Sequence, residues 1–537
     1  MAAEQTFMDK LTALCKRRGF IYQSSEIYGG IGGFWDYGPL GVELKRNIKE
    51  RWWQDMVIDP PCGPDGREVE MVGVDCAIIM NPKVWEASGH ATGFADPMVD
   101  CRKCRGRFRL DQVFRIEARR PDAAEPFAVF TVQGDGTHSA LEAARPRAMK
   151  LSKKHGGGEF ALAAASFKDV LATDPRVELL ACPTCDEPGT LTEPRQFNLM
   201  FQTYVGALQD ASSLAYLRPE TAQGIFANFK NVLDTTRVKV PFGIAQIGKS
   251  FRNEINPRNY TFRSREFEQM EIEFFCSDAS SMEWYEFWRK VRYDWYVKLG
   301  LRSDKLRLRD QTPAELAHYS KACADIEYLF PFSDEFQELE GVAHRGNFDL
   351  SQHARFSGKD LTYFDDEAWE RDKERFPDPE QARQAKNAPP YRYLPTVIEP
   401  SAGVDRAALA FLCEAYTEDA APDEKGELQT RVVMKFHPQL APVKVAFFPL
   451  VNKEGMPEIA AALYREARRY MPAFFDDKGA IGRRYRRQDE IGTPYCVTVD
   501  GDTLRDGSVT IRDRDTLAQV RVKKEGVIAW LRERLGR

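Results

Sequence analysis

Residues 241–275, PFGIAQIGKSFRNEINPRNYTFRSREFEQMEIEFF, constrain the fold more than any other stretch of the chain. Two runs of strand-forming residues flank a loop of Asn, Pro and Arg, the pattern of a long β-hairpin. Side chains alternate across a strand, so parity assigns each residue to a face. On the second strand Arg263, Arg265, Phe267, Gln269, Glu271 and Glu273 share one face, and Met270, Ile272 and Phe274 share the other. On the first, Arg252 and Glu254 share a parity opposed to that of Ala245, Ile247 and Phe251. One face is apolar and can enter a core; the other carries arginines, carboxylates and a single aromatic ring. The plain reading of the polar face is a solvated surface laced with ion pairs. The chemical reading is that fork-shaped guanidinium groups from facing strands grip phosphate oxygens. The ring between them offers a flat surface to a nucleobase, and Glu271 can hold an ammonium group. Such a face suits a nucleotide joined to an amine-bearing acid.

The 537 residues allow about three domains. At 43% apolar and 29% charged, the composition is that of a soluble globular protein. No apolar run approaches the ~20 residues that cross a bilayer, and the N-terminal MAAEQTFMDKLTALCKRRG is too polar for a signal peptide. The expectation is a cytoplasmic protein with no membrane partner. From residue 441 onward 19 Lys and Arg face 14 Asp and Glu, a net of +5 on a chain whose total is −5, so the first 440 residues carry −10. A basic terminal region on an acidic body hints at a polyanionic partner, although a solvated basic face reads the same way. Among eleven cysteines, CRKC (Cys101, Cys104) and CPTC (Cys182, Cys185) form two C-x-x-C pairs. In a reducing compartment such pairs read as a zinc ribbon, with four unmetallated thiols as the alternative. The 77 intervening residues would then be an insertion whose ends the metal staples together. Four thiolates leave no open coordination position for catalysis.

Leu40, Leu44, Ile48 and Trp52 repeat at four-residue spacing behind Pro39 and predict a core-facing helix. Residues 105–181 are the least readable; glycines 156–158 predict a break, followed by a short helix. Trp284, Trp288, Val291, Trp295 and Leu299 predict an amphipathic helix whose tryptophans are core rather than a base-stacking platform. Residues 417–427, TEDAAPDEKGE, read as a linker. Beyond it, a buried strand at 443–448 and a helix from Pro457 with Ile459, Leu463 and Tyr470 inward precede strands at 495–499 and 508–512. A closing helix follows from Lys524. The alternation implies an α/β domain of about 100 residues.

FRNE, R-x-R-E-F and MEIEFF in the hairpin resemble motif 2 of the class II aminoacyl-tRNA synthetases, in detail those for glycine of the homodimeric type. Further matches are residues 25–53 (SEIYGGIGGFWDYGPLGVELKRNIKERWW, resembling motif 1), 80–90 (MNPKVWEASGH), 218–226 (RPETAQGIF), 338–353 (ELEGVAHRGNFDLSQH) and 397–406 (VIEPSAGVDR, resembling motif 3). The resemblance covers most of the chain except roughly residues 110–180. It implies a mixed α/β and α+β protein, an antiparallel class II sheet flanked by helices with a C-terminal α/β anticodon-binding domain. The implied divisions are 1–104 with motif 1, a 105–181 insertion, 182–300 with motif 2, a 301–390 insertion, 391–430 with motif 3 and a linker, and 440–537 for the anticodon. It also implies a homodimer through the motif 1 helix.

The implied reaction joins glycine to the 3′ end of tRNA(Gly) through a glycyl-adenylate, with ATP and magnesium. By this resemblance Arg252, Asn253, Glu254, Phe262, Arg263, Arg265, Glu266, Phe267, Glu338, Leu339, Gly403, Val404, Asp405 and Arg406 take ATP. Arg252 grips the α-phosphate, Arg263 the γ-phosphate, Glu254 the adenine amino group, and Phe267 and Arg406 sandwich the ring. Glycine falls to Arg109 of FRLD, Glu220, Phe267, Gln269, Glu271, Glu399, Ser401 and Gly403, and magnesium to Glu338 and Glu399. Arg483, Arg484, Arg486 and Arg487 of GRRYRRQDEIGTP would contact tRNA. Asp405 departs from the glycine common in motif 3. The chemistry needs no protein nucleophile, so the absence of a triad is no objection. Two rivals are a non-catalytic relative that keeps the fold for nucleic-acid binding and a ligase forming small-molecule amides. Retention of Arg252, Glu254, Arg406 and the acidic residues argues against the first, and the basic terminal domain against the second.

Overall fold

A computed structural model of the protein describes residues 6–134, 136–173, 180–313, 315–317, 320–422 and 428–536. The backbone divides into two compact units, one of Met1–Ile78, Glu220–Ser250 and Asn259–Arg537, the other of Ile79–Pro219 and Phe251–Arg258.

A seven-stranded sheet organises the first unit. Its strands are β1 (Glu70–Gly73), β2 (Phe242–Phe251), β3 (Glu266–Cys276), β4 (Leu306–Asp310), β5 (Ala322–Tyr328), β6 (Gln337–Gly346) and β7 (Thr396–Gly403), in the order β4-β5-β6-β7-β3-β2-β1. The β4–β5, β5–β6, β6–β7 and β7–β3 pairs are antiparallel, and β1 joins β2 as a parallel edge. The expected hairpin is present as the neighbours β2 and β3, but its loop is longer than the sequence predicts. β2 ends at Phe251 and β3 begins at Glu266, so Arg252 and Glu254 lie past one strand and Arg263 and Arg265 before the other. Pro257 has no N–H to give a ladder, and a 3-10 turn at Tyr260–Phe262 entered at positive φ ends the extended run.

Alternation within β3 holds, yet both faces are buried. Met270, Ile272 and Phe274 pack against α1 (Pro39–Trp53), α3 (Ser281–Lys298) and α5 (Val404–Ala415), meeting Leu44, Ile48, Trp52, Trp284 and Trp288. Each such side chain contributes about 1.5–3 kcal/mol by leaving water. Pro39 opens α1 at its first turn, where a missing N–H costs nothing. On the opposite face α2 (Ala222–Thr236) and α4 (Phe348–Ser357) bring Ile225, Phe226, Phe229 and Leu350 onto Phe242, Ile244, Phe275 and Val397. Gln269, Glu271 and Glu273 are therefore buried, and the solvated-surface reading of this face is excluded.

Residues 417–422, read as linker, are part of a strand, Tyr416–Pro422, paired with Leu428–Met434; residues 423–427 lie outside the described residues. The ladder is anchored from inside, where buried Arg431 reaches Asp419 at 2.6 Å and Asp489 at 3.0 Å. The C-terminal sheet contains β8 (Val445–Pro449), β9 (Ala473–Phe475), β10 (Tyr495–Val499), β11 (Ser508–Asp513) and β12 (Gln519–Lys523), ordered β9-β8-β10-β11-β12. Helices α6 (Met456–Ala467), α7 (Ile481–Ile491) and α8 (Val527–Leu535) complete an α/β domain. Tyr470, expected inward, lies beyond the end of α6 and is 50% exposed.

The second unit contains two three-stranded sheets. One joins Arg107–Arg109, Ala95–Asp100 and Arg195–Asn198; the other joins Ala128–Gln133, Val113–Arg119 and Ala161–Ser166 and carries the helix Thr137–Lys154. After glycines 156–158 the chain forms the strand Ala161–Ser166 before the expected short helix, Phe167–Thr173. Small residues of the helix, Ala140, Ala144 and Ala148 at four-residue spacing, pack with Phe114, Ile116 and Phe130.

Candidate active site

The antiparallel register lines up one polar row across the large sheet. Glu271 of β3 lies opposite Ser401 of β7, Ser401 opposite Gly341 of β6, Gly341 opposite Asp325 of β5, and Asp325 opposite Arg309 of β4. Hydrogen bonds fix the row. The Ser401 hydroxyl donates to Glu271 Oε1 at 2.6 Å and the Thr221 hydroxyl donates to Glu271 Oε2. Gln269 accepts from Ser250 at 2.8 Å and donates to Ser401 at 3.3 Å. Behind them Arg345 spans Glu399 at 2.7 Å and Asp349 at 2.8 Å, while Gln223 donates to Glu220 at 2.9 Å and to Asp349 at 3.1 Å. His353 meets Gln223 at 2.9 Å.

Acid is in excess here. Carboxylate oxygens of Glu271, Glu273 and Glu399 lie within 4.8 Å of one another. Burial, then the charge of Glu220, pushes Glu271 up. Burial and the neighbouring Glu399 push Glu273 well up, and neither of its oxygens has a hydrogen-bond partner among the described residues. Burial lifts Glu399 to about 8 against the pull of Arg345. A cluster with one guanidinium for several carboxylates is poised to take up a small cation. Glu220, half-buried where the chain enters α2, belongs to the same group.

Farther along the face, Arg406 at the start of α5 lies 4.6 Å over the Phe262 ring and 3.3 Å from the exposed carboxylate of Glu338. Phe267 is half-buried on β3, and the Arg263 Nη1 is buried without a hydrogen-bond partner among the described residues. Arg265 donates to the Gly32 carbonyl at 2.8 Å, and Glu266 pairs with Lys249 at 2.7 Å. Gly403 ends β7 opposite Gln269. Leu339 and Val404, read as ATP residues, have their side chains in the hydrophobic core, so only their backbone is available to a ligand.

Glu399, opposite Ala343 on β6, pairs with the buried Arg345, while Glu338, farther along that strand beyond a bulge, pairs with Arg406. One reading changes. Asp405, read as an ATP residue, is buried, with Lys45 at 2.8 Å and the Glu268 N–H at 2.7 Å on its carboxylate. Burial alone would raise its pKa, but the Lys45 ammonium holds it below the usual carboxylate range. Lys45 also reaches Glu268 at 3.1 Å, so the motif 3 departure is a strut from α5 to α1.

In the second unit Arg252 donates to the Pro219 carbonyl at 3.1 Å and its guanidinium lies 5.4 Å from the Phe94 ring. The Asn253 N–H meets the Leu199 carbonyl at 2.7 Å. Arg109 pairs with Asp111 at 2.8 Å and Asp96 at 3.1 Å, and Glu254 adds to the negative charge around it. The four cysteines of the two C-x-x-C pairs converge, with Cys101–Cys185 and Cys104–Cys182 sulfur distances of 3.6 Å. A tetrahedron of zinc–thiolate bonds has edges of about 3.8 Å, so the donor set fits. Backbone N–H groups of Cys104 and Thr184 point at Cys101 and Cys182 sulfurs, 3.4 Å away in each case.

Of the four arginines on α7, Arg483 is exposed and Arg486 half-buried, while Arg487 is tied to Asp476. Arg484 is only 3% exposed and donates to the carbonyls of Pro449, Leu450, Asp476 and Gly479. Its donors hold loops of its own domain, which removes it from the set expected to face tRNA.

Thr221, Gln223, Arg345, Asp349 and His353 escaped the sequence reading. A signal was present in HRGNFDLSQH, where Asp349 and His353 are four residues apart and so share one side of α4, facing Arg345 at the end of β6.

Comparison with known proteins gives the family. A family model for the tRNA synthetase class II core domain (G, H, P, S and T) matches residues 205–370, and one for an anticodon binding domain matches 444–534. The chain is 51% identical to a glycine–tRNA ligase of Rhodopirellula baltica, over 98% of this chain and 99% of that one. It is 47% identical to that of Thermobifida fusca (100% and 99%) and 45% identical to that of Clostridium tetani (100% of each). With a class II core, an anticodon-binding domain and relatives of this identity along their full length, the chain belongs to the glycine–tRNA ligase family.

Proposed function

We propose that the protein activates glycine with ATP and transfers it to tRNA(Gly), and that the buried acid cluster around Glu271 is what selects the amino acid. The observation that carries this reading is the excess of carboxylate over guanidinium beside Ser401. The ammonium group of glycine supplies the missing cation, replacing the proton that burial otherwise keeps on the cluster. Glu220, Glu271 and Ser401 surround the ammonium, and Gln269, held by Ser250 and Ser401, forms a wall that does not swing away. A rigid wall penalises a side chain on the substrate's Cα through overlap, which a soft pocket cannot do.

In this reading the substrate carboxylate attacks the α-phosphorus and pyrophosphate leaves; a ribose hydroxyl of tRNA then displaces AMP. Arg252 takes the α-phosphate, Glu254 the adenine amino group, Arg109 the substrate and Arg263 the γ-phosphate. Phe267 and Arg406 bracket the adenine. The hard carboxylate oxygens of Glu338 and Glu399 suit magnesium, which would neutralise phosphate charge when it enters with ATP. Arg483 and Arg486 contact tRNA phosphates or bases. Pyrophosphate exchange with glycine, but not with alanine or serine, followed by charging of purified tRNA(Gly), is the expected result. Exchange with alanine at the rate of glycine, or charging of no tRNA, would end this reading.

Structural zinc on Cys101, Cys104, Cys182 and Cys185 and a homodimer complete the proposal. Ile27 (89% exposed), Tyr28 (86%) and Val42 of the motif 1 region are exposed apolar residues that a second copy of the chain would cover. Native mass spectrometry tests both: a particle of twice 61.3 kDa carrying two zinc ions is expected. A metal-free monomer would remove both assignments.

A further inference from the structure

Gly341 sits in the middle of β6, a position where glycine weakens a strand because it contributes no packing and loses more conformational freedom than other residues. Two other glycines of the same sheet have steric reasons. A Cβ at Gly73 would lie 2.3 Å from the Trp53 ring, and one at Gly243 would lie 2.4 Å from the Met71 sulfur. Gly341 has none: a Cβ there meets nothing within 4 Å, and its φ lies outside the left-handed region that favours glycine. Neither packing nor backbone in the protein itself asks for a missing side chain at this place.

Its neighbours say what does. Gly341 stands between Ser401 and Asp325 in the polar row, with Glu271 one strand beyond Ser401. On its own strand Glu338 lies three residues away, across a bulge, and reaches Arg406. A ligand with its amine at Glu271 and Ser401 and its base between Arg406 and Glu338 passes over Gly341, which lies on β6 between those ends.

We propose that Gly341 is a specificity-determining position, left without a side chain so that the sugar–phosphate link of ATP and of the glycyl-adenylate can lie directly on the strand. The inference rests on the proposed glycyl-adenylate site and adds a residue to which no role was given by the sequence. A methyl group at 341 would project into the space the nucleotide occupies and leave the ammonium cluster intact.

The test uses the full-length enzyme with Gly341→Ala and Gly341→Val. The expected result for Gly341→Ala is a rise of roughly 30-fold in KM for ATP in pyrophosphate exchange, with a larger rise for Gly341→Val, since overlap grows with side-chain volume. Glycine alone, measured by calorimetry, binds both variants within about twofold of the parent, and melting temperatures stay equal or rise because the added carbon meets open space. An unchanged KM for ATP in Gly341→Val overturns the proposal, as does equal loss of glycine binding and ATP binding in a folded variant. Failure of the underlying site looks different. In that case Glu271→Gln would leave glycine activation untouched, whatever the Gly341 variants do.

Discussion

Glu271→Gln raises the melting temperature of the unliganded protein and lowers kcat/KM for glycine in pyrophosphate exchange by about a thousandfold, roughly 4 kcal/mol. The two effects have opposite signs because the carboxylate is badly placed for the empty protein and well placed for the substrate. Empty, it lies among Glu220, Glu273 and Glu399 with Arg345 as the neighbouring cation, and burial raises its pKa. The amide keeps an oxygen for the Ser401 hydroxyl and removes one charge from the crowd. Filled, the site loses the partner of a desolvated ammonium, a loss of the size seen when one member of a buried charge pair is removed. The same electrostatics fixes a pH dependence. Glu399 titrates near 4.5 in the unfolded chain and at about 8 when folded, so over that window the folded state holds more protons. Its contribution to stability is therefore full below pH 4.5 and falls as pH rises toward 8. Glycine reverses this by supplying a cation, and binding at pH 7 releases a proton, visible as buffer-dependent heats in calorimetry. Wild-type activity in Glu271→Gln, or heats independent of buffer, would show that the ammonium goes elsewhere.

Arg292→Ala destabilises the first unit by about 3–5 kcal/mol in urea unfolding, whereas Arg292→Met combined with Glu340→Leu is close to neutral. Arg292 on α3 donates to Glu340 on β6 through Nε at 2.7 Å and Nη2 at 3.0 Å, with the two side chains 0% and 1% exposed. The rings of Trp52, Trp295 and Tyr296 surround the guanidinium at 6.0, 4.6 and 5.7 Å. Removing the cation leaves an ionised or forcibly protonated carboxyl in that apolar shell, and the cost is that of an uncompensated buried charge. Replacing both partners with apolar groups removes the desolvation penalty together with the attraction. Glu340 adjoins Gly341 on the strand that carries Glu338, so the single variant also disturbs the proposed nucleotide face. Its kcat falls at temperatures where the chain is still folded. Stability within 1 kcal/mol of the parent in Arg292→Ala would mean that the pair is not closed in solution.

Much of this was legible in one dimension because the pleat has a period of two. The parity of residues 269–274 sorts Gln269, Glu271 and Glu273 from Met270, Ile272 and Phe274, and the structure keeps that sorting. The helix α1 was legible for the same kind of reason, its stripe of Leu44, Ile48 and Trp52 entering the core as spaced. What parity cannot tell is what lies on top of a face. The covering of Glu271 and Glu273 depends on α2 and α4, which arrive from residues 222–236 and 348–357, and no local pattern announces their arrival. Nor does a motif name a side chain's partner. Glu338 and Glu399 are both acidic and both in resembling segments, yet one pairs with Arg406 and the other with buried Arg345. Arg484 shows a third limit. Four arginines in a run look alike until a helix turns one of them toward carbonyls of its own domain.

The Lys45 strut has a consequence for how defects in this protein should be interpreted. Lys45 leaves the inner side of α1 for Asp405, the residue just before Arg406, while Val42 on the same helix is 51% exposed. A lesion on the outer surface of that helix can thus displace Arg406, the proposed partner of the adenine, without altering any atom that touches substrate. An assay counting only finished product would report damaged chemistry, although the fault lay in the scaffold behind it.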